Sequence, residues 1–292
     1  MTEQIEHVGS CKGGNTIPLD DEGRTYHFGC KEGEVANEIL ICSCYRLAEE
    51  ISKNFEEKGK DLFRRESNRG YITYTGHIKG KRISVVGFGI GFAMVDFLVR
   101  ELRRITKGPL TFIELGTATT GSNVPLGTAV VATDAIAYEL DFDNFTPDNE
   151  SPYTIYKKPV PADPEVVKAI ENGLNGAKIN FANGRIASNP SFCAGICAPT
   201  LESGGVGSFN FRTNGLLERL EKECGKIASF EMDAYALLWT SLQATEKHSI
   251  RSAVVSIIGA DLNGNVLPAE EIHQMQLNIA PVLLEQLADL QP

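Results

Sequence analysis

Basic charge is what this 292-residue chain has least of: 28 Lys and Arg face 38 Asp and Glu, a formal net charge of −10. That deficit argues against the basic footprint by which proteins grip a nucleic-acid backbone, yet leaves room for a small anion where a few arginines converge. Long apolar runs are also missing. The most hydrophobic stretch, Val85 to Val99, is interrupted by glycines and Asp96, short of the ~20 residues that span a bilayer, so no membrane partner is expected. The opening MTEQIEHVGS has neither the basic start nor the apolar centre of a secretory signal. Seven cysteines, at positions 11, 30, 42, 44, 193, 197 and 224, make neither an even framework nor repeated CxxC pairs. They read as reduced thiols of a cytoplasmic protein, and without nearby histidines they offer no zinc site.

What is present is enough hydrophobic residue, 42% of the chain, to fill a substantial core. Residues 1–25 are polar and glycine-rich and read as an N-terminal arm, leaving residues 26–292 as one domain. ILICS runs as a strand into the helical pattern YRLAEEISKNFEEK, where Leu47, Ile51 and Phe55 recur every four residues. YITYTGHI and RISVVGFG, separated by KGK, predict an antiparallel hairpin. A helix is expected over Phe92–Ile105, closed by Arg103 and Arg104, then a strand LTFIELG, a small-residue loop TATTGSN and a strand pair in LGTAVVATDAIA. Helices near Pro164–Asn175 and from Pro268 to Ala288 flank a strand IRSAVVSIIG. The acidic stretch 141–152 and residues 192–213 read as loops. Alternating strands and helices with buried apolar runs predict an α/β fold, a mixed sheet covered by helices.

Three places carry chemistry. Ser43 and Arg46 stand where a strand hands over to a helix, a position whose free N–H groups suit an anion, although a first-turn arginine can equally face solvent. Gly116-Thr117 closes an apolar strand and offers backbone amides with a hydroxyl. Glu231-Met232-Asp233 lies between the strand KIASFEM and the helix DAYALLWTSLQ. Asp233 there is either a helix cap or, with its neighbours, a holder of a sugar diol.

These segments, in this order, resemble the nucleoside phosphorylases of the uridine and hexameric purine type, over nearly the whole chain. YHFGCKEGEVANEILICSCYR, SNRGYITY, GFGIG, FIELGTATTG and FEMD carry the resemblance. It implies a mixed sheet with a distorted barrel, no metal and no organic cofactor, and inorganic phosphate as co-substrate. It also implies a homodimer or higher homo-oligomer whose sites are shared between subunits. By the same resemblance Ser43, Arg46, Arg69 and Thr117 would bind phosphate, with Arg69 entering from a partner chain. Glu231, Met232 and Asp233 would hold the ribose, and His27 would reach the partner's ribose. Phe192, Leu201, Ser203 and Arg212 would face the base. The C-terminal NGNVLPAEE favours uridine phosphorylase, hence pyrimidine salvage. A purine phosphorylase or a nucleosidase using Asp261 as acid is the alternative, although Asp261 can also simply begin a turn with Asn263-Gly264. A nucleoside-binding relative of weakened activity is a third reading. Cys42 stands where the family has a glycine, Glu114 where it has an arginine, and Leu201 where its uracil-reading pair falls.

Overall fold

The computed structural model describes residues 17–122, 124–192, 211–245 and 249–291. Its centre is β1 (Glu38–Cys42), whose ILIC run is wholly buried, with β4 (Lys81–Gly87) and β5 (Leu110–Thr120) paired to it in parallel on either side and helices packed against it. A strand covered on both faces reads as a continuous apolar run rather than an alternating one. Beyond β4, the expected hairpin with β3 (Ile72–Ile78) turns through Lys79 and Gly80, both at positive φ, and β2 (Phe63–Glu66) forms the open edge.

On the other side of β5 the sheet closes on itself. β5 pairs with β10 (Ile250–Ala260) in parallel, and β10 runs antiparallel to β6 (Ala129–Leu140). β6 is parallel to β8 (Phe181–Ser188), β8 is parallel to β9 (Ser229–Glu231), and β9 returns antiparallel to β5. Five strands thus make a closed barrel inside a ten-strand sheet, with β7 (Tyr153–Pro161) attached to β6. The expected mixed sheet with a barrel is what forms.

Six helices flank the sheet among the described residues: α1 (Tyr45–Ser52), α2 (Phe92–Ile105), α3 (Pro164–Gly176), α4 (Leu216–Cys224), α5 (Ala234–Leu242) and α6 (Ala269–Asp289). α6 packs on α1 and α3, and α2 packs on α5. α3 starts where Asp163 accepts from the N–H groups of Glu165 and Val166, both at 3.1 Å, ahead of Pro164. A main core fills the space between sheet and helices, and a second apolar cluster of Tyr138, Tyr153, Leu216, Leu220 and Phe230 lies beneath α4.

Three expectations change. The helix projected through Lys58 stops at Ser52, because Phe55 is drawn into the core under Gly76, where a Cβ would come within 2.7 Å of its ring. Asn54 then caps the open end by donating to the Ile51 carbonyl at 2.8 Å. The small-residue segment after Gly116 is strand, not loop, since Thr119 and Thr120 pair with Phe230 and Ser229. LGTAVVATDAIA supplies one long strand, bent by two register shifts so that it serves β10, β8 and β7 in turn. Residues 17–25 form a turn in which the Asp20 carboxylate accepts from Glu22 and Arg24, tied by a Leu19–Thr25 bridge.

Candidate active site

Strands β4, β1, β5 and β10 run in the same direction, and their carboxyl ends open onto one cavity of ≈ 250 Å³. Ligands in open α/β sheets settle at such carboxyl ends. Ser43 follows β1, Ile90 follows β4, Gly116 to Thr119 come from β5, and Gly259 and Ala260 from β10. Phe192 follows β8, and β9 delivers Glu231, Met232 and Asp233. Thr117 is the only exposed residue of β5. A strand otherwise committed to the core thus turns a hydroxyl outward at the cavity.

Acid groups dominate the floor. Glu231 does the capping that Asp233 was a candidate for: its Oε2 accepts from the N–H groups of Asp233 at 2.6 Å and Ala234 at 2.9 Å, at the start of α5. The Ser188 hydroxyl donates to the other oxygen, and Ser188 Oγ accepts in turn from the Tyr235 N–H at 2.9 Å. Asp233 accepts from the Gly91 N–H, presented by a backbone at φ +99° that glycine adopts without strain. Glu114, on β5, is 2% exposed. Burial pushes the Glu114 carboxyl well above the usual range, reinforced by Asp233 and then Glu231. Burial, with Glu231 next, raises Asp233 to about 8 against the opposing Gly91 N–H. Glu231 is raised by burial too, against the Ser188 hydroxyl and the backbone donors.

Of the residues singled out in the sequence, Ser43, Thr117, Phe192, Glu231, Met232 and Asp233 line this cavity together. Arg46 does not: its guanidinium pairs with Glu50 at 2.8 Å, and its side chain is 68% exposed, the solvent-facing arrangement. Asp261 closes a surface turn, accepting from the Asn263 and Asn265 N–H groups and from the Asn265 amide. Those donors hold its carboxyl below the usual range, the reverse of what a proton donor needs. Arg212 stacks over Phe145 at 4.4 Å and donates to the carbonyls of Thr146 and Asn149. Leu201 and Ser203 lie outside the described residues.

His27 and Arg69 are neighbours on another part of the surface. Arg69 donates to the Tyr26 hydroxyl at 3.0 Å, and the Tyr26 ring stands edge-on to His27, centroids 5.0 Å apart. His27 Nδ1 is 2.6 Å from Glu101 Oε1, and its ring stacks on Phe97 at 3.9 Å. Neither residue lines the cavity of its own chain. The sequence reading missed the apolar wall of Ile90, Val266 and Ile272, and Ser188, which holds Glu231. Ile90 sits inside the quoted GFGIG, but only the strand order shows that it faces the site.

Comparison with known proteins agrees with this architecture. A family model described as the phosphorylase superfamily matches residues 39–280. A uridine phosphorylase of Thermococcus kodakarensis is 30% identical over 221 residues, 75% of this chain and 73% of that protein. A DeoD-type purine nucleoside phosphorylase of Clostridium perfringens is 39% identical over a shorter span of 92 residues, 32% of this chain and 37% of that one. Among solved structures, a uridine phosphorylase of the oomycete Phytophthora capsici superposes with a TM-score of 0.86, covering 97% of this chain and all of that one at 24% identity, a likeness of fold. With the family model spanning most of the sequence and the fold in place, the chain belongs to the phosphorylase superfamily.

Proposed function

We propose that the chain is a nucleoside phosphorylase acting on uridine, replacing uracil by phosphate to give ribose 1-phosphate. The observation that carries this reading is the convergence of Ser43, Thr117, Phe192 and Glu231-Met232-Asp233, from separate segments, on one cavity at the barrel rim. Phosphate, not an organic cofactor, is the second reactant. A phosphate oxygen forms the bond to C1′ as the C1′–N1 bond breaks, and its electron pair leaves with the uracil ring. Catalysis of that step rests on holding the oxyanion against C1′ and bracing the sugar.

Thr117 would hydrogen-bond the phosphate, aided by Ser43. Glu231 and Asp233 would accept from the ribose hydroxyls, with Met232 against the sugar and Phe192 against the base. The grouping of His27 with Arg69, away from their own cavity, supports a site completed by a second copy of the chain. Arg46 reaches phosphate only by leaving Glu50. A second reading, base release by water, is favoured by one feature: the acid Glu114 lines the cavity three residues before Thr117, where the family resemblance calls for an arginine to hold phosphate. Assays with uridine and with inosine, with and without phosphate, test both. Uridine consumption that requires phosphate and releases ribose 1-phosphate is expected, and phosphate-independent release of base would overturn the proposal.

A further inference from the structure

Three carboxylates share the cavity floor, and among the described residues of the same chain no positive group lines it. One carboxyl oxygen from each of Glu114, Glu231 and Asp233 lies within 4.8 Å of the other two. No Lys, Arg or His lines the cavity among the described residues, and residues 193–210, which follow the lining Phe192, contain none in their sequence. Glu231 and Asp233 are each steadied by N–H or O–H donors. Glu114 is not: it is buried, it lines the cavity, and its Oε2 has no hydrogen-bond partner. The buried hydroxyl of Ser256, on β10 opposite Gly116, likewise has none. A Cβ at Gly116 would sit 3.5 Å from Glu114 Oε1 and 3.6 Å from that hydroxyl, so both oxygens flank the same bare stretch of β5.

An unpartnered buried carboxylate is expensive unless a proton or a cation answers it. We infer that Glu114, Glu231 and Asp233 together bind one hard divalent cation of the magnesium, manganese or calcium class. Oxygens bound to one such ion at about 2.0–2.6 Å stand no more than about 4–5 Å apart, the spread found here. All three donors are carboxylate oxygens, with no thiolate or imidazole among them, which selects hard ions over zinc or copper. Three protein oxygens leave about three positions of an octahedral shell open toward the cavity, for water or for an oxygen of a bound molecule. The inference concerns the same cavity as the proposed phosphorolysis but does not require it.

Titration with Mn²⁺, followed by loss of the free-ion paramagnetic resonance signal in the absence of nucleoside and phosphate, tests this directly. The wild-type protein is expected to take up about one ion per chain, displaced by excess Ca²⁺ or Mg²⁺. Glu114→Gln, which preserves shape, and Asp233→Asn are each expected to weaken uptake at least tenfold, while the surface variant Glu270→Gln does not. The circular dichroism spectrum selects whichever site variant is folded for the comparison. Absence of uptake, or equal uptake by a folded site variant, would overturn the inference. So would uptake seen only in Arg69→Ala, because a partner's guanidinium would then be filling the site. A protein that fails the uridine assay can still bind the ion, and one that turns over uridine can fail to, so the two ideas fall separately.

Discussion

At the scale of single residues, the cavity is built by two kinds of exception. Thr117 is an exposed residue in a buried strand, and Glu114 is a buried carboxyl group in the same strand, three positions earlier. Thr117→Val keeps the β-branched shape while removing the hydroxyl. Steady-state kinetics with varied phosphate should show kcat/KM for phosphate lowered about tenfold, close to 1.4 kcal/mol, with the melting temperature nearly unchanged. Glu114 makes a prediction in pH. A carboxyl whose folded pKa lies above its unfolded value keeps its proton in the native state after the unfolded chain has released it. Its contribution to stability is therefore complete below the unfolded pKa and is lost as pH climbs through the folded one. For Asp233 that window runs from its ordinary 3.8 to about 8, and the raised Glu114 and Glu231 act in the same sense. In EDTA, thermal melts from pH 5 to pH 8 should show stability falling through this window. Glu114→Gln should flatten the fall and leave the variant more stable than wild type at pH 8. A variant no more stable than wild type at pH 8 would show that the three groups are not electrostatically joined.

At the scale of elements, closure of the barrel hangs on the shortest strand. β9 has three residues, and it is extended by the Gly121 and Ser122 N–H groups donating to the carbonyls of Ala228 at 2.9 Å and Ile227 at 2.7 Å. A Cβ at Gly121 would stand 2.2 Å from the Ile227 carbonyl oxygen, a backbone atom that can withdraw only by breaking this seam. Gly121→Ala should therefore cost at least about 2–3 kcal/mol in urea unfolding and detach the Glu231 segment from β5, abolishing activity with it. A change within about 0.5 kcal/mol would contradict that account. The same seam marks the boundary of what the chain reveals to inspection. β1, α2, β10 and α6 were legible, because continuous apolar runs and four-residue periodicity are local properties. Strand character at Thr117–Thr120 was not, because it comes from pairing with β10 and, at Thr119 and Thr120, with β9, both more than a hundred residues away. Phe55 kept the helical period of α1 while folding out of the helix, since only the gap over Gly76 decides its place. In the site, the Glu-Met-Asp run and Thr117 were readable as motifs. The division of labour by which Glu231 caps α5 while Asp233 takes the Gly91 N–H depends on the segments that follow β4 and β9 coming together, which no local pattern encodes.

At the scale of the whole molecule, one chain presents an acidic cavity on one part of its surface and the Tyr26–His27–Arg69 group on another. If a two-fold pair places the second group of each chain at the cavity of the other, each site takes Thr117 from one subunit and Arg69 from its partner. Arg69→Ala and Thr117→Val chains, each impaired alone, should then repair one another when co-expressed. In a mixed dimer, the site built on the Arg69→Ala chain's own cavity has its native Thr117 and receives the partner's intact Arg69. The opposite site carries both lesions. Random pairing makes about half of the dimers mixed, and half of their sites whole, so about one quarter of wild-type activity should return at limiting phosphate. A site contained within one chain instead gives only the mean of the two impaired activities. Turnover of the mixture, measured beside that of each variant alone, decides between the two arrangements, because simple averaging never exceeds the better of the two parents.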